Sequence, residues 1–110
     1  MNIKTLAFLS ILLTCLAAPA LSDPIWLDVR STSEFDTGHI EGAIHLPHSE
    51  VNTKADKLLP NKDSEIFIYC RSGGRAEKAK RALKTLGYTN IRNIGGLEDA
   101  QEMLLDLKIQ

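Results

Sequence analysis

Ile66-Phe67-Ile68-Tyr69-Cys70-Arg71-Ser72-Gly73-Gly74-Arg75-Ala76 is the stretch on which the fold of this chain turns. Ile66 to Tyr69 is apolar throughout, which suits a strand in the middle of a sheet covered on both faces. From Arg75 to Leu86 the pattern becomes helical, with Ala76, Ala79, Leu83 and Leu86 spaced by three, four and three residues before Gly87 supplies a stop. A strand feeding a helix through six residues, two of them glycine, places Cys70 at the carboxyl end of the strand, where ligands sit in parallel α/β sheets.

Outward from this unit, strands and helices alternate. Ile25 to Val29 is strand-like, and Ser31, Thr32 and Ser33 can cap a brief helical turn over Glu34 to Thr37. Gly42 to Leu46 reads as a second strand stopped by Pro47. Ser49 to Leu59 has Val51, Ala55, Leu58 and Leu59 on one side of a helix. After the central unit, Ile91 to Ile94 is a fourth strand. Beyond Gly95 and Gly96 a last helix places Leu97, Ala100, Leu104 and Leu107 on one stripe. The expected fold is α/β, a single domain with a mostly parallel central sheet and helices on both faces.

At 110 residues, 25% charged and 44% hydrophobic, the chain has room for one ordinary globular domain and no disordered tract. Residues 1–22 are expected to lie outside it. Lys4, an apolar run from Leu6 to Ala18 broken at Ser10 and Thr14, and small residues at Ala18, Ala20 and Ser22 form the three-part layout of a secretory signal peptide. Cleavage after Ser22 leaves a domain over 23–110; cleavage after Ala20 fits nearly as well. The run is too short to span a bilayer, and Thr14 stands where a lipoprotein box before Cys15 usually has Gly, Ala or Ser. Export, to a periplasm or beyond, then makes Cys70 the only cysteine of the mature chain, so no intramolecular disulfide is expected. Without Lys4 the formal charge is near −2, and no basic footprint for nucleic acid is visible.

A lone thiol in an oxidising compartment is either a reactive group or a buried passenger. In Cys70-Arg71-Ser72-Gly73-Gly74-Arg75 the backbone N–H groups can curl around the sulfur as an anion-binding nest. Gly73 and Gly74 can take the positive torsions that such a curl demands. Arg71 and Arg75 add charge beside the helix N-terminus, and both effects favour thiolate over thiol. Arg75 at that end opposes the helix dipole, which implies an anionic partner. Cys70 can also be read as a small apolar residue ending a core strand. That gives no reason for two glycines between two arginines.

Strand, Cys-Arg-Ser-Gly-Gly-Arg loop and helix resemble the active-site loop of rhodanese-like sulfurtransferases. Asp28-Val29-Arg30, Glu34-Phe35 and Gly38-His39-Ile40-Glu41-Gly42-Ala43-Ile44 are similar to the family's first block, and Gly95-Gly96-Leu97 to its last. The leader and small size are most similar to the family's exported single-domain thiosulfate sulfurtransferases. The resemblance implies that Cys70 takes sulfane sulfur from thiosulfate as a persulfide and passes it to cyanide or a thiol. Arg71, Ser72, Gly73, Gly74 and Arg75 would bind the donor, with no cofactor or metal and with the chain acting as a monomer. Phosphatase and arsenate-reductase relatives use a loop one residue longer, C-x5-R, around a tetrahedral oxyanion. The shorter loop here is similar to that of the sulfur-transferring branch. A carrier or partner-binding module without turnover would share it.

Two positions depart from the family pattern: His45 stands where asparagine is frequent, and a tryptophan is missing near Ala100. Asp28, Arg30 and Glu34 read as a structural charged cluster fixing the first strand to the following turn. His39, His45 and His48 lack a recognisable metal-ligand spacing. Trp26 and Phe67 are core, and Glu77, Lys78, Lys80 and Arg81 are the wet face of their helix.

Overall fold

The computed structural model describes residues 23–109. The expected leader over 1–22, with Cys15, lies outside the described residues. The order of elements is β1 (Ile25–Asp28), α1 (Thr32–Thr37), β2 (Ile44–His45), a 3-10 turn (His48–Glu50), α2 (Val51–Leu58), β3 (Ile66–Cys70), α3 (Gly74–Thr85), β4 (Ile91–Gly96) and α4 (Leu97–Ile109). All three strand pairings are parallel, in the order β2-β1-β3-β4.

Central β3 is buried along its whole length, and its side chains alternate between faces. Ile66, Ile68 and Cys70 join Leu27 and Val29 of the β1 segment under α2 and α3, where Val51, Ala55, Ala76, Ala79 and Leu83 close the core. Phe67 and Tyr69 face the other way, with Trp26, Ile40 and Ala100 of α4. Trp26 meets Phe67 edge to face at 5.2 Å. The sheet is thus covered on both sides, as its continuous apolar central strand demands.

Several boundaries move for local reasons. β2 shrinks to Ile44–His45 because the expected start, Gly42, takes φ +83° in a turn whose Ala43 N–H donates to the Ile40 carbonyl. α1 begins at Thr32, since Ser31 and Glu34 form a reciprocal capping box. The helix over 49–59 splits into the 3-10 turn and α2, with the Leu59 N–H closing on Ala55. In α2, Leu58 is exposed and leaves Val51, Ala55 and Leu59 as the buried side. On α4 the expected stripe packs on the core at Leu97, Ala100 and Leu104, but Leu107 is exposed.

β1 leads outward to β2 on one side and β3 to β4 on the other. The carboxyl ends of β1 and β3 therefore flank the switch in strand order, the crevice where doubly wound sheets hold their ligands.

Candidate active site

Cys70 is the last residue of β3, and its side chain, 1% exposed, lies among the core side chains under α3. Gly73, with φ +102°, turns the chain back, and its N–H donates to Cys70 Sγ at 2.9 Å. Gly74 does not share this torsion. It is the first residue of α3, so the expectation of two left-handed glycines holds at Gly73 only. Burial pushes the Cys70 thiol upward in pKa, but the N–H groups of Ala76, Ser72, Gly73 and Arg75 outweigh it and bring the thiol below its ordinary value. Thiolate is the form that a ring of amide donors at a helix N-terminus stabilises.

Arg75 has its anionic partner inside the chain. Its guanidinium forks onto Glu34, Nη1 to Oε1 at 2.7 Å and Nη2 to Oε2 at 3.0 Å. Glu34 Oε1 also accepts the Ser31 N–H at 3.1 Å. Arg75 first, then the Ser31 amide, holds the Glu34 carboxyl well below the usual carboxylate range. Two expectations change. Glu34 belongs to a pair with the loop rather than to the Asp28–Arg30 cluster, and the Arg75 side chain is committed to it rather than open to a donor. Arg71 remains 81% exposed, reaching Glu34 only at 3.9 Å. Ser72 is exposed at the tip.

Asp28 and Arg30 pair with each other at the end of β1. Arg30 Nη2 donates to Asp28 Oδ2 and to the Gly38 carbonyl, both at 2.7 Å, tying the end of β1 to the end of α1. Arg30 lies 5.6 Å from the ring centroid of Tyr69, whose hydroxyl accepts the Ile40 N–H at 3.0 Å. His45 Nε2 lies 2.8 Å from the Arg30 carbonyl, which can only accept, so that nitrogen carries its proton. His39 and His45 both stack against Phe35. Among the described residues no three His, Cys, Asp or Glu side chains gather where they could hold a metal ion.

Behind the loop, β4 carries features that periodicity alone does not expose. A bulge after Ile68 shifts the register so that Tyr69 faces Gly95 and Cys70 faces Gly96. A Cβ on Gly96 would lie 2.3 Å from the Arg71 carbonyl oxygen, so this glycine is what lets β4 press against the loop. Asn93, absent from the expected site, donates from Nδ2 to the Gly73 carbonyl at 3.0 Å and to Glu77 Oε1 at 3.1 Å. Glu77 is therefore half-buried and engaged rather than merely wet. Beside the loop a cleft of about 440 Å³ is lined by Arg30, Glu34, Thr37, Arg71, Gly96 and Leu97, among others.

The sequence matches the rhodanese-like domain family over residues 15–103. It is 35% identical over 81 residues to the thiosulfate sulfurtransferase PspE of Escherichia coli (strain K12), covering 74% of this chain and 78% of that protein. It is 41% identical over 68 residues to the putative sulfur carrier protein YrkF of Bacillus subtilis (strain 168), covering 62% of this chain but 36% of that one. A tRNA uridine(34) hydroxylase of Erwinia tasmaniensis is 33% identical over 69% of this chain, which spans only 23% of the hydroxylase. Among solved structures, a rhodanese with anions from E. coli superposes with a TM-score of 0.66 at 35% identity, over 70% of this chain and 91% of that one. A human single-domain sulfurtransferase follows at 0.62 and 27% identity, over 87% and 90%. With the family's pattern running from the first strand into the last helix, this chain belongs to the rhodanese-like family.

Proposed function

We propose that this protein is an exported thiosulfate sulfurtransferase in which Cys70 carries the sulfur. The observation that carries this reading is the Gly73 N–H held 2.9 Å from Cys70 Sγ in a loop whose other amides also favour the thiolate. The Cys70 thiolate attacks the outer sulfur of thiosulfate. A new S–S bond forms, the bond between the two donor sulfurs breaks, and sulfite leaves with its electron pair. The product is a Cys70 persulfide anion, so charge is conserved without proton transfer. Amides that stabilised one sulfur anion then meet a second, a task in which each well-placed donor contributes on the order of 2.7–4 kcal/mol. Cyanide or a thiolate attacks the terminal sulfur and releases the Cys70 thiolate. Exposed Arg71 steers the dianionic donor toward the loop from the adjoining cleft, while Arg75 contributes its backbone N–H.

Intact mass after thiosulfate treatment tests the first half, with the gain of one sulfur atom, removable by cyanide, as the expected result. Cys70→Ser should abolish both loading and thiocyanate formation while leaving the melting transition unchanged. Persistent turnover in that variant would remove Cys70 from the reaction. A second reading, sulfur carriage without turnover on small acceptors, draws on the likeness to YrkF and on the depth of Cys70. Loading without release to cyanide or small thiols would favour it. Export rests on the leader over 1–22, and the N-terminal residue of the protein recovered from secreting cells tests it.

A further inference from the structure

Three side-chain contacts converge on Asn93, a residue outside the Cys70 loop. Its Nδ2 donates to the Gly73 carbonyl and to Glu77 Oε1, and its Oδ1 accepts the Gly95 N–H at 3.0 Å. The orientation of the amide is fixed by this chemistry. Turned over, it would set oxygen against a carbonyl and a carboxylate, and NH2 against an N–H. The Gly73 carbonyl also accepts the Glu77 N–H at 2.9 Å, so it is the first acceptor of α3 and the joint between helix and loop. Gly73 sits at φ +102°, ψ −17°, a conformation that fixes where its own N–H points relative to that carbonyl. Holding the carbonyl therefore aims the N–H.

We propose that Asn93 is the positioning residue of the Cys70 loop: by clamping the Gly73 carbonyl against the bulged strand β4, it aims the Gly73 N–H at Sγ. It touches neither sulfur nor donor, and acts through the Gly73 peptide. The inference deepens the sulfurtransferase reading, because the same N–H would meet the persulfide. The β4 bulge lies at the same place. The register shift between Ile68 and Tyr69 falls opposite the Asn93–Gly95 segment, where the Gly95 N–H and the Asn93 side chain are joined.

The test is a titration of Cys70 alone, followed by iodoacetamide alkylation rate against pH, in wild type, Asn93→Ala and Asn93→Asp. The charged side chains around the loop are Arg71 and Arg75 within it, Glu34 from α1, the Asp28–Arg30 pair from β1, Glu77 from α3 and Asp99 from α4. Asn93→Ala removes none of these charges but releases the Glu77 carboxylate from its Asn93 hydrogen bond, so Glu77→Gln is titrated beside it and the midpoints of all variants are compared in 1 M salt as well. Its thiol midpoint should rise by about one pH unit, cutting the alkylation rate several-fold at neutral pH. Asn93→Asp keeps the acceptor for Gly95 but opposes two acceptors with a third. Its midpoint should rise at least as far, and remain raised in 1 M salt. Should Asn93→Ala fail to fold, Asn93→Asp in high salt decides. A midpoint within about 0.2 units of wild type in a folded variant overturns the proposal. Alkylation needs no sulfur donor, so the two ideas fail separately. A raised midpoint in a protein that never loads sulfur sinks the function and spares Asn93; normal loading with an unmoved midpoint does the reverse.

Discussion

Asp28–Arg30 and Glu34–Arg75 are both carboxylate–arginine forks beside the same crevice, yet they join the molecule in different ways. The first links residues two apart in sequence, and Asp28 has no exposure at all. It seals the end of β1 and reaches the Gly38 carbonyl. The second spans 41 positions and stays partly wet, with side chains 23% and 29% exposed. A buried pair offsets the desolvation of two charges only when every contact is made, whereas a half-exposed pair has little to repay. The inner fork is therefore costly to break, and the outer fork is the adjustable tether between α1 and the loop.

Breaking the inner fork should have the largest effect. Asp28→Ala leaves Arg30 buried without its carboxylate, and about 3–5 kcal/mol of stability should be lost in urea denaturation. A loss under about 1 kcal/mol would mean that water solvates Arg30, and the contrast between the forks would vanish.

Glu34→Gln should cost about 1 kcal/mol at neutral pH. The glutamine oxygen can still accept in the capping box, while its NH2 faces Arg75 Nη2, so the charge and one arm of the fork are lost. The pH dependence has a definite sign. Because the folded Glu34 carboxyl titrates below its unfolded value, the stabilisation is complete above the ordinary carboxylate range and is lost as pH falls through and below it. Wild type and Glu34→Gln should therefore differ by a constant amount from neutral pH down to about pH 5 and converge in stronger acid. A difference that grew on acidification would contradict the assignment. Arg71→Ala sharpens the comparison from the other end. This arginine has no close fork, so stability should change by less than about 0.5 kcal/mol, while the KM for thiosulfate should rise several-fold. An unchanged KM would take Arg71 out of donor steering.

The central unit was readable from sequence because its signals are local. Four apolar residues, a cysteine, a glycine-rich turn and a three-four-three spacing all lie within about twenty positions. Asp28 and Arg30 are two apart, and their pairing follows from proximity. Glu34 and Arg75 belong to different blocks, and periodicity says nothing about which distant charges meet. Asn93 was hidden for the same reason. Its partners Gly73 and Glu77 are 20 and 16 residues away, and a polar residue on a short strand looks solvent-facing unless the bulge beside it is known. Gly73 and Gly74 look alike as letters. Only the start of α3 assigns the left-handed torsion to one and a helical place to the other.

Trp26, the single tryptophan, is packed edge-on to its β3 neighbour Phe67 beneath α4, on the sheet face opposite the one that receives Cys70. Nature has thereby placed an intrinsic fluorophore under the last helix, on the sheet face away from the thiol, where its emission should report the docking of that helix. Unfolding can be followed optically in the same sample whose sulfur content is being weighed, without introducing a dye near the nucleophile.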